Sequence, residues 1–312
     1  MADPRMPEIV AHRGAGTDAV APRRTACQRP AAPPENTLPA FAWGWSRATA
    51  CELDVHLSRD ERLIVIHDET TGRTCDRDLV VGGSTRAELA TLDAGCKKGA
   101  LWAGLRLPTL EEVLAAMPAG RRLYVELKNG AGIVGPLADA VRRAGKGPAE
   151  VVFISVDVDA IGEVKQRLPD HACYLVVAWR QRPADGVWEV RYGTTDRTDP
   201  RRLRTRARRP RSRRPGDPED LYRTLIDLVR RPLAGEGGVA LDGLDVSWRQ
   251  PEGLAKALEE AGVAWGSWTV DTADAAVALR DRGAVQLTTN CPDDLRSALA
   301  HAAAGGRGGA RR

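Results

Sequence analysis

Short apolar runs alternate with longer amphipathic stretches along most of this chain. The short runs, rich in β-branched and aliphatic residues, predict strands at Glu8–Ala11, Cys51–Val55, Leu63–Ile66, Leu123–Leu127, Val151–Ile154, Cys173–Val177, Ala264–Val270 and Ala284–Leu287, with a further short one at Val239–Leu244. The amphipathic stretches predict helices at Thr37–Ala48, Thr109–Met117, Ile133–Ala144, Asp157–Arg167, Pro218–Arg230, Glu252–Ala261 and Thr272–Arg282. Two helices begin with capping-box patterns, Thr109 with Glu112 and Asp271 with Asp274.

This order of elements predicts an α/β fold built on a parallel sheet. Eight strands separated by helices favour closure of that sheet into a (β/α)8 TIM barrel. An open doubly wound sheet is the alternative, but no glycine-rich dinucleotide fingerprint follows the first strand. Since such a barrel typically needs about 250 residues, we predict one domain over residues 7–300 of the 312, with irregular loop insertions.

Three segments do not follow the alternation. Residues 15–34, rich in Pro, Ala and Arg, are predicted to form an irregular loop. Residues 180–217 contain RRLRTRARRPRSRRPGD, in which like charges and prolines oppose burial, so we predict a mobile surface insertion. Residues 303–312, which end in GGRGGARR, are predicted to be a disordered tail.

Polar side chains recur at or near the ends of the predicted strands in the first 130 residues. They are His12, Arg13, Glu52, Asp54, His67, Glu126 and Lys128. Because a strand side chain repeats its direction every second residue, Glu52 with Asp54, and Glu126 with Lys128, each project two charges from one face. Apolar neighbours indicate that the strand of Glu52 and Asp54 is buried, where charges need a partner such as a metal ion. The pattern predicts a metal site beside two histidines.

Composition and charge are those of a soluble globular protein. Hydrophobic residues make up 43% of the chain and charged residues 28%, which excludes disorder throughout. Much of the net charge of +4 lies between Arg201 and Arg214, where no fold motif or aromatic platform accompanies the arginines. We therefore expect no nucleic-acid partner, with weak contact to an anionic lipid surface as the alternative use of this segment.

No apolar segment of the sequence resembles a signal peptide or a membrane span. The first residues, MADPRMPEIVAHRG, contain two prolines, and no run approaches the roughly 18 apolar residues of a spanning helix. The six cysteines show no CxxC pair and no metal-finger spacing; they are Cys27, Cys51, Cys75, Cys96, Cys173 and Cys291. We therefore predict reduced thiols and a cytoplasmic location.

The chain resembles the glycerophosphodiester phosphodiesterase family from about Ile9 to Leu295. The resemblance rests on a series of separated motifs in the family's order: AHRG, PENTLPAF, ELDVHLSRDERLIVIHDETTGRT, STRAELATLDAG, LPTLEEVL, YVELK and WTVDTADAAVALRDRGAVQLTTNCPDDL. The coincidence of so many ordered motifs is more specific than any one of them. The segment from Trp179 to about Val239 resembles nothing that we can place.

The resemblance implies a TIM barrel that hydrolyses glycerophosphodiesters to glycerol 3-phosphate and an alcohol, using one divalent cation. By similarity, the metal ligands are Glu52, Asp54 and Glu126, the acid/base pair is His12 and His67, the phosphate-binding residues are Arg13 and Lys128, and the pair that shapes the pocket is Glu35 and Asn36. Three carboxylates make a hard oxygen site, which favours Mg²⁺ or Ca²⁺ over Zn²⁺. The expected partner is a small glycerophosphodiester.

Several features depart from the family pattern or fit two interpretations. The loop at residues 15–34 is longer than usual and lies beside the implied site, and Val156, Cys75 and Asn290 replace more typical residues. Trp268 is predicted to line the substrate pocket, with core packing as the alternative. His56 is interpreted as a structural residue that faces the helices.

Other aspects of the reaction stay open at the level of sequence. Either histidine could be the acid, and the attacking group is water or the glycerol 2-hydroxyl, which would form a cyclic phosphate first. The alternative functions are a lysophospholipase D that accepts acylated lysophospholipids, and a catalytically silent barrel that binds phosphate esters. The sequence predicts no oligomeric state.

Overall fold

Eight parallel strands close into a barrel in the computed structural model, which describes residues 6–15, 32–181, 188–192, 218–232 and 239–306. The strands of these residues are β1 (Glu8–Ala11), β2 (Ala50–Leu57), β3 (Leu63–Val65), β4 (Arg122–Leu127), β5 (Val151–Ser155), β6 (Cys173–Gln181), β7 (Trp188–Arg191), β8 (Gly243–Ser247), β9 (Ala264–Trp268) and β10 (Gln286–Thr289). β1 pairs in parallel with both β2 and β10, which closes the sheet. The predicted TIM barrel is confirmed, and the open sheet was wrong.

The remaining two strands, β3 and β7, run antiparallel to β2 and β6. β7 lies inside the segment 180–217 that was predicted to be a mobile insertion, so that prediction was wrong for residues 180–181 and 188–191. The hairpin forms because Trp188 packs edge-on against Trp179, which also contacts Tyr222, with ring centroids 6.4 and 6.0 Å apart. Residues 182–187 and 193–217 lie outside the described part of the chain.

Helices connect the barrel strands and cover them. Those of the described residues are α1 (Leu38–Trp45), α2 (Arg86–Leu89), α3 (Leu110–Ala116), α4 (Val134–Arg143), α5 (Val158–Arg167), α6 (Pro218–Arg230), α7 (Gly253–Glu260), α8 (Ala273–Asp281) and α9 (Pro292–Gly306). All seven predicted helices are present, whereas α2 and α9 were missed. The tail prediction was wrong for residues 303–306, because the alanines after His301 are strong helix formers and extend α9. Residues 16–31 of the predicted loop and 307–312 of the tail lie outside the described residues.

The two predicted capping boxes had different outcomes. Thr109 Oγ1 accepts from the Glu112 amide, and Glu112 Oε2 accepts from the Thr109 amide, which confirms the first box. The second was wrong: Thr272 caps α8 by accepting from the amide of Ala275. Asp271 does not cap α8, because its carboxylate accepts hydrogen bonds from Thr289 Oγ1 at the end of β10 and from the main-chain amide of Asn290.

Alternation along the strands separates the helix-facing side of the barrel from its interior. Leu53 and Val55 of β2 belong to the large apolar cluster beneath the helices. Ala50 of the same strand belongs to the interior cluster, in which its companions are Val10, Tyr124, Val152, Ile154 and Val176. Because side chains repeat their direction every second residue, Glu52 and Asp54 follow Ala50 into the interior. This places their charges inside the barrel, toward its C-terminal mouth.

The cysteines and the helices bear on the expected location. Cys51, Cys75, Cys96 and Cys173 are free thiols, as predicted. The prediction of reduced thiols was wrong for Cys291, which is disulfide-bonded, and Cys27 lies outside the described residues. Among the helices of the described residues, none has the length and apolar character needed to cross a membrane. The cytoplasmic location stays a prediction.

Candidate active site

Three carboxylates converge at the C-terminal mouth of the barrel. Glu52 and Asp54 project inward from β2, and Glu126 projects inward from β4, where it lies directly beside Asp54 in the sheet. One ligand oxygen from each of the three lies within 4.8 Å of the other two. The structure therefore brings together the three side chains that the sequence predicted as metal ligands.

The surroundings of these carboxylates favour a cation among them. Burial, followed by the charges of Asp54 and Glu126, raises the pKa of Glu52 well above its ordinary value. Burial acts in the same direction on Asp54, but Lys128 and Arg13 outweigh it and hold the pKa of Asp54 well below its usual range. Glu52 Oε1 is buried without a hydrogen-bond partner among the described residues. An oxygen in this condition fits a ligand to a hard cation.

Lys128 follows β4 and shares the inward face of Glu126 because it comes two residues later. Its ammonium nitrogen lies 2.7 Å from Glu126 Oε1 and 2.9 Å from Asp54 Oδ1. Burial opposes its charge, but the two carboxylates prevail and raise the pKa of Lys128 above its ordinary value. Lys128 therefore carries a fixed positive charge at the site, as its predicted role in binding phosphate requires.

A tight turn after β1 directs Arg13 into the site. Arg13 adopts the left-handed region at φ 50°, and its amide donates to Glu52 Oε2 over 2.9 Å. The next residue, Gly14, has φ 77°, and a Cβ there would lie 2.6 Å from the carbonyl carbon of Ala40. Only glycine fits here, because α1 packs directly against the turn. The guanidinium of Arg13 meets Glu35 at 2.9 Å and Asp54 at 3.4 Å.

Glu35 and Asn36 lie behind this first layer of side chains. Asn36 donates from Nδ2 to Asp54 Oδ2 over 2.8 Å, which aims the carboxylate. Glu35 accepts from Arg13 and also from Arg73, at 2.7 and 3.0 Å. Both residues are buried, at 7% and 3% exposure, and their observed contacts position Arg13 and Asp54. Direct contact between either residue and a substrate stays a prediction.

His12 stands at the end of β1, facing the carboxylates. Its Nδ1 lies 2.9 Å from Asn290 Oδ1, and its Nε2 lies 4.0 Å from Glu52 Oε2. Burial, reinforced by the adjacent charge of Arg13, lowers the pKa of His12 to about 4. The ring is therefore neutral at pH 7 and presents Nε2 toward the site.

His67, the second predicted histidine, has a charged partner. Its Nδ1 lies 2.6 Å from Asp68 Oδ1, and the other oxygen of Asp68 accepts from Arg73 Nε at 2.5 Å. Arg73 thereby joins the His67 side of the site to Glu35 and Arg13. Sequence reasoning missed Asp68 and Arg73, although both stand in the segment HDETTGRT, where Asp68 directly follows the histidine.

A cavity of about 420 Å³ opens beside His67. Its lining residues are His56, His67, Asp68, Glu69, Thr70, Glu126, Lys128 and Val156. The interpretation of His56 as a helix-facing residue was wrong, because His56 comes two residues after Asp54 and shares its inward face. Its Nε2 donates to the main-chain carbonyl of His67 over 3.0 Å.

Trp268 ends β9 at the same mouth of the barrel. Its ring is partly buried against the interior apolar cluster, and its Nε1 donates to the carbonyl of Asp245 over 3.1 Å. These contacts are those of a packed core residue with one side toward the opening. A role for Trp268 in binding substrate stays a prediction.

Asp245, on β8, is a buried acid that sequence reasoning did not identify. It is 1% exposed, and its Oδ1 has no hydrogen-bond partner among the described residues. Burial, followed by the charge of Glu126, raises the pKa of Asp245 to about 8. The folded protein thus holds Asp245 protonated at neutral pH, whereas an unfolded chain ionises it above about pH 4.

We expect Asp245→Asn to stabilise the protein increasingly as the pH rises. Between about pH 4 and 8 the wild-type native state binds a proton that the unfolded state has released. The contribution of this residue to the free energy of unfolding therefore falls by about 1.4 kcal/mol for each unit that the pH rises. Asparagine stays neutral in both states. The free energy of unfolding of Asp245→Asn should therefore exceed that of the wild type by about a few kcal/mol at pH 8. Urea unfolding of both proteins at pH 5, 6.5 and 8 measures this difference.

Asp170→Asn, at an exposed position, is the matched control and should show no such trend. A difference between wild type and Asp245→Asn that stays constant over this pH range would mean that the buried acid is not held protonated.

Comparisons with known proteins agree with this site. Residues 12–294 match the model of the glycerophosphoryl diester phosphodiesterase family. A glycerophosphodiester phosphodiesterase of Caldanaerobacter subterraneus is 35% identical over 158 residues, which cover 47% of this chain and 65% of the relative. A Bacillus subtilis protein assigned the same activity provisionally is 39% identical over 121 residues, which cover 38% of this chain and 44% of that protein. The matched parts span less than two thirds of either relative.

Two solved structures share the fold. One is a glycerophosphoryl diester phosphodiesterase homologue of Silicibacter pomeroyi, with a TM-score of 0.67 at 19% identity, covering 96% of this chain and 94% of the other. The second is an Oleispira antarctica phosphodiesterase in complex with the product sn-glycerol-3-phosphate, with a TM-score of 0.67 at 21% identity, covering 95% and 97%. At these identities, the likeness concerns the fold.

Proposed function

The chain belongs to the glycerophosphoryl diester phosphodiesterase family, and on that premise we propose that it hydrolyses glycerophosphodiesters to glycerol 3-phosphate and an alcohol. The observation that carries the proposal is the convergence of three carboxylates beside two imidazoles, an arginine and a lysine at the mouth of the barrel. The Oleispira phosphodiesterase, with sn-glycerol-3-phosphate bound, supports the choice of product.

Glu52, Asp54 and Glu126 would hold one divalent cation, Mg²⁺ or Ca²⁺, because carboxylate oxygens are ligands that hard cations prefer. When bound, such an ion offsets the negative charge that builds on the phosphoryl oxygens in the transition state. Asn36 keeps Asp54 oriented for this role, and the main-chain amide of Arg13 does the same for Glu52.

Arg13 and Lys128 bring the positive charge that binds the phosphodiester. The planar guanidinium of Arg13 can donate to two phosphate oxygens at once, and Lys128 adds a point charge. Glu35 holds Arg13 in place and is itself tied to Arg73, so the guanidinium is oriented before substrate arrives. These long side chains therefore lose their conformational entropy when the protein folds, and not when the substrate binds.

His12 acts as the general base and His67 as the general acid. His12 is neutral and its Nδ1 partner is an uncharged amide, so Nε2 is available to take the proton of the attacking hydroxyl. Asp68 Oδ1, 2.6 Å from His67 Nδ1, orients the ring so that its other nitrogen can give a proton to the leaving alcohol. The same base serves attack by water or by the glycerol 2-hydroxyl.

We expect deacylated esters such as glycerophosphocholine and glycerophosphoethanolamine to be turned over faster than their acylated lysophospholipid counterparts. The side chains that line the cavity beside His67 are polar or charged except for Val156, a set that suits a small charged ester better than an acyl chain. Release of glycerol 3-phosphate, coupled to glycerol-3-phosphate dehydrogenase, measures the diesters, and release of choline or ethanolamine compares them with the acylated forms. EDTA, followed by Mg²⁺, Ca²⁺ or Mn²⁺, tests the cation.

Faster release of choline from lysophosphatidylcholine than from glycerophosphocholine would replace the proposal with a lysophospholipase D. Binding of glycerol 3-phosphate without turnover of any diester, under every metal condition, would leave a silent phosphate-binding barrel. Expectations that the protein has no nucleic-acid partner and acts on small molecules come from the sequence and stay predictions.

A further inference from the structure

We propose that Asp271 and Asn290 are positioning residues that fix the tautomer of His12, a role that rests on the proposed function of His12 as general base. Asp271 lies between β9 and α8, and Asn290 lies between β10 and α9. Both loops open at the mouth of the barrel, next to the end of β1, where His12 stands. Three separate segments of the chain therefore meet at the back of the His12 ring.

The carboxylate of Asp271 is itself anchored. Its Oδ1 accepts from the main-chain amide of Asn290 over 2.9 Å and from Thr289 Oγ1 over 3.2 Å. Its Oδ2 accepts from Asn290 Nδ2 over 2.8 Å. Since one of these donors belongs to the main chain, the carboxylate cannot turn away without losing a hydrogen bond that the fold supplies.

These contacts determine which way the amide of Asn290 faces. A carboxylate only accepts hydrogen bonds, so the side of the amide that faces Asp271 must be the NH₂ group. The opposite side, Oδ1, then faces His12 Nδ1 at 2.9 Å. An amide oxygen only accepts, so Nδ1 of His12 must carry the hydrogen. The lone pair of the neutral ring is consequently on Nε2, the atom that faces the site.

At position 290, beside His12 Nδ1, an uncharged amide suits the site better than a carboxylate would. The Nε2 atom of His12 lies 4.0 Å from Glu52 Oε2, in a site that already holds three carboxylates. Asn290 orients the ring without adding another negative charge. The negative charge of Asp271 lies behind the side chain of Asn290, so it contacts Asn290 and not the histidine.

The decisive variants exchange the donor and the acceptor between Asp271 and Asn290. In Asp271→Asn, the new side chain must keep its oxygen toward the main-chain amide of Asn290, so its NH₂ group faces the NH₂ group of Asn290. The Asn290 amide would turn over, present its NH₂ group to His12 and favour the opposite tautomer. In the double variant Asp271→Asn, Asn290→Asp, the new carboxylate at position 290 accepts from the NH₂ group at position 271 and from His12 Nδ1. This restores the original tautomer.

We expect Asp271→Asn to lower kcat by about 100-fold or more, with a much smaller change in KM, because the proton acceptor is lost while phosphate binding is kept. The double variant should recover most of this loss. Asn290→Asp alone places two carboxylates against each other and should also be impaired. Asp274→Asn, the same change at an exposed position of α8, is the matched control and should be unaffected.

The tautomer can be measured without any turnover. In long-range ¹H–¹⁵N correlation spectra of ¹⁵N-histidine-labelled protein at pH 7, the two ring nitrogens of a neutral histidine differ according to which carries the hydrogen. The signals of His12 are assigned by their loss in His12→Gln. We expect the Nδ1–H form in the wild type and the double variant, and the Nε2–H form in Asp271→Asn.

These two readouts separate the proposal from the proposed function. An Nε2–H form in the wild type would overturn the proposal even if Asp271→Asn failed to fold. Unchanged kcat in Asp271→Asn, or a folded double variant that recovers neither kcat nor the Nδ1–H form, would also overturn it. The expected spectra from a protein that hydrolyses no phosphodiester would instead retain the positioning role and remove the proposed reaction.

Discussion

Alanine at either His12 or His67 is expected to lower kcat by about 10²- to 10⁴-fold while leaving the fold intact. Each ring stands at the mouth of the barrel, and both are only partly buried. Alanine therefore removes a proton donor or acceptor without opening a cavity in the core. The coupled glycerol 3-phosphate assay measures the loss, and circular dichroism with thermal unfolding verifies the fold.

His301→Ala is the matched control, because His301 lies exposed on α9 and contacts the main-chain carbonyl of Ser297 rather than any residue of the site. It should retain wild-type activity. Near-normal turnover in His12→Ala or His67→Ala would remove that residue from the mechanism.

The leaving group separates the two histidine roles. An ester of glycerol 3-phosphate with p-nitrophenol releases a stable anion that needs no proton from the enzyme. The defect of the variant that lacks the general acid should therefore shrink on this substrate, whereas the defect of the variant that lacks the base should persist. We expect the rescue in His67→Ala. Rescue in His12→Ala instead would reverse the assignment.

Glu52→Gln, Asp54→Asn and Glu126→Gln are each expected to abolish measurable turnover and to remove the stabilisation that a divalent cation confers on the wild type. An ion present at about 100 times its Kd should stabilise the native state by about 2.7 kcal/mol. Thermal unfolding in EDTA, and then with Mg²⁺ or Ca²⁺ added, measures this effect without reference to activity.

Glu52→Gln offers the sharpest contrast among these variants. Burial and two neighbouring carboxylates make a charged Glu52 unfavourable in the absence of a cation, so the neutral glutamine should unfold at a higher temperature than wild type in EDTA. Added cation should then raise the melting temperature of the wild type and leave that of the variant unchanged. Asp54→Asn is less informative, because it also leaves Lys128 and Arg13 short of a partner.

Glu259→Gln, at an exposed position of α7, is the matched control and should respond to cations as the wild type does. An equal rise in melting temperature for wild type and all three site variants would show that the ion binds elsewhere.

The differences between prediction and structure have physical causes. Two-residue alternation, applied consistently, places His56 with Asp54, so the signal for its inward position was present in the sequence. Asp271 was predicted as a helix cap because its spacing to Asp274 fits a capping box. The chain after β10 competes for the same carboxylate and takes it, leaving Thr272 as the cap. A local pattern does not reveal such a distant competitor.

The sequence by itself determined the alternation of strands and helices, the inward direction of Glu52, Asp54 and Glu126, and the motifs that identify the family. These features depend on residue spacing and on side chains that are near each other along the chain, so periodicity and motif order are sufficient to predict them.

Only the tertiary structure decided which side chains meet across the barrel mouth. Arg73 reaches Glu35 and Asp68, and Asn290 reaches His12 from 278 residues away. Closure of the barrel makes β1 and β10 neighbours, and no local pattern records that pairing. The orientation of His12 follows from such a long-range contact, whereas His67 is held by Asp68, its neighbour in the chain.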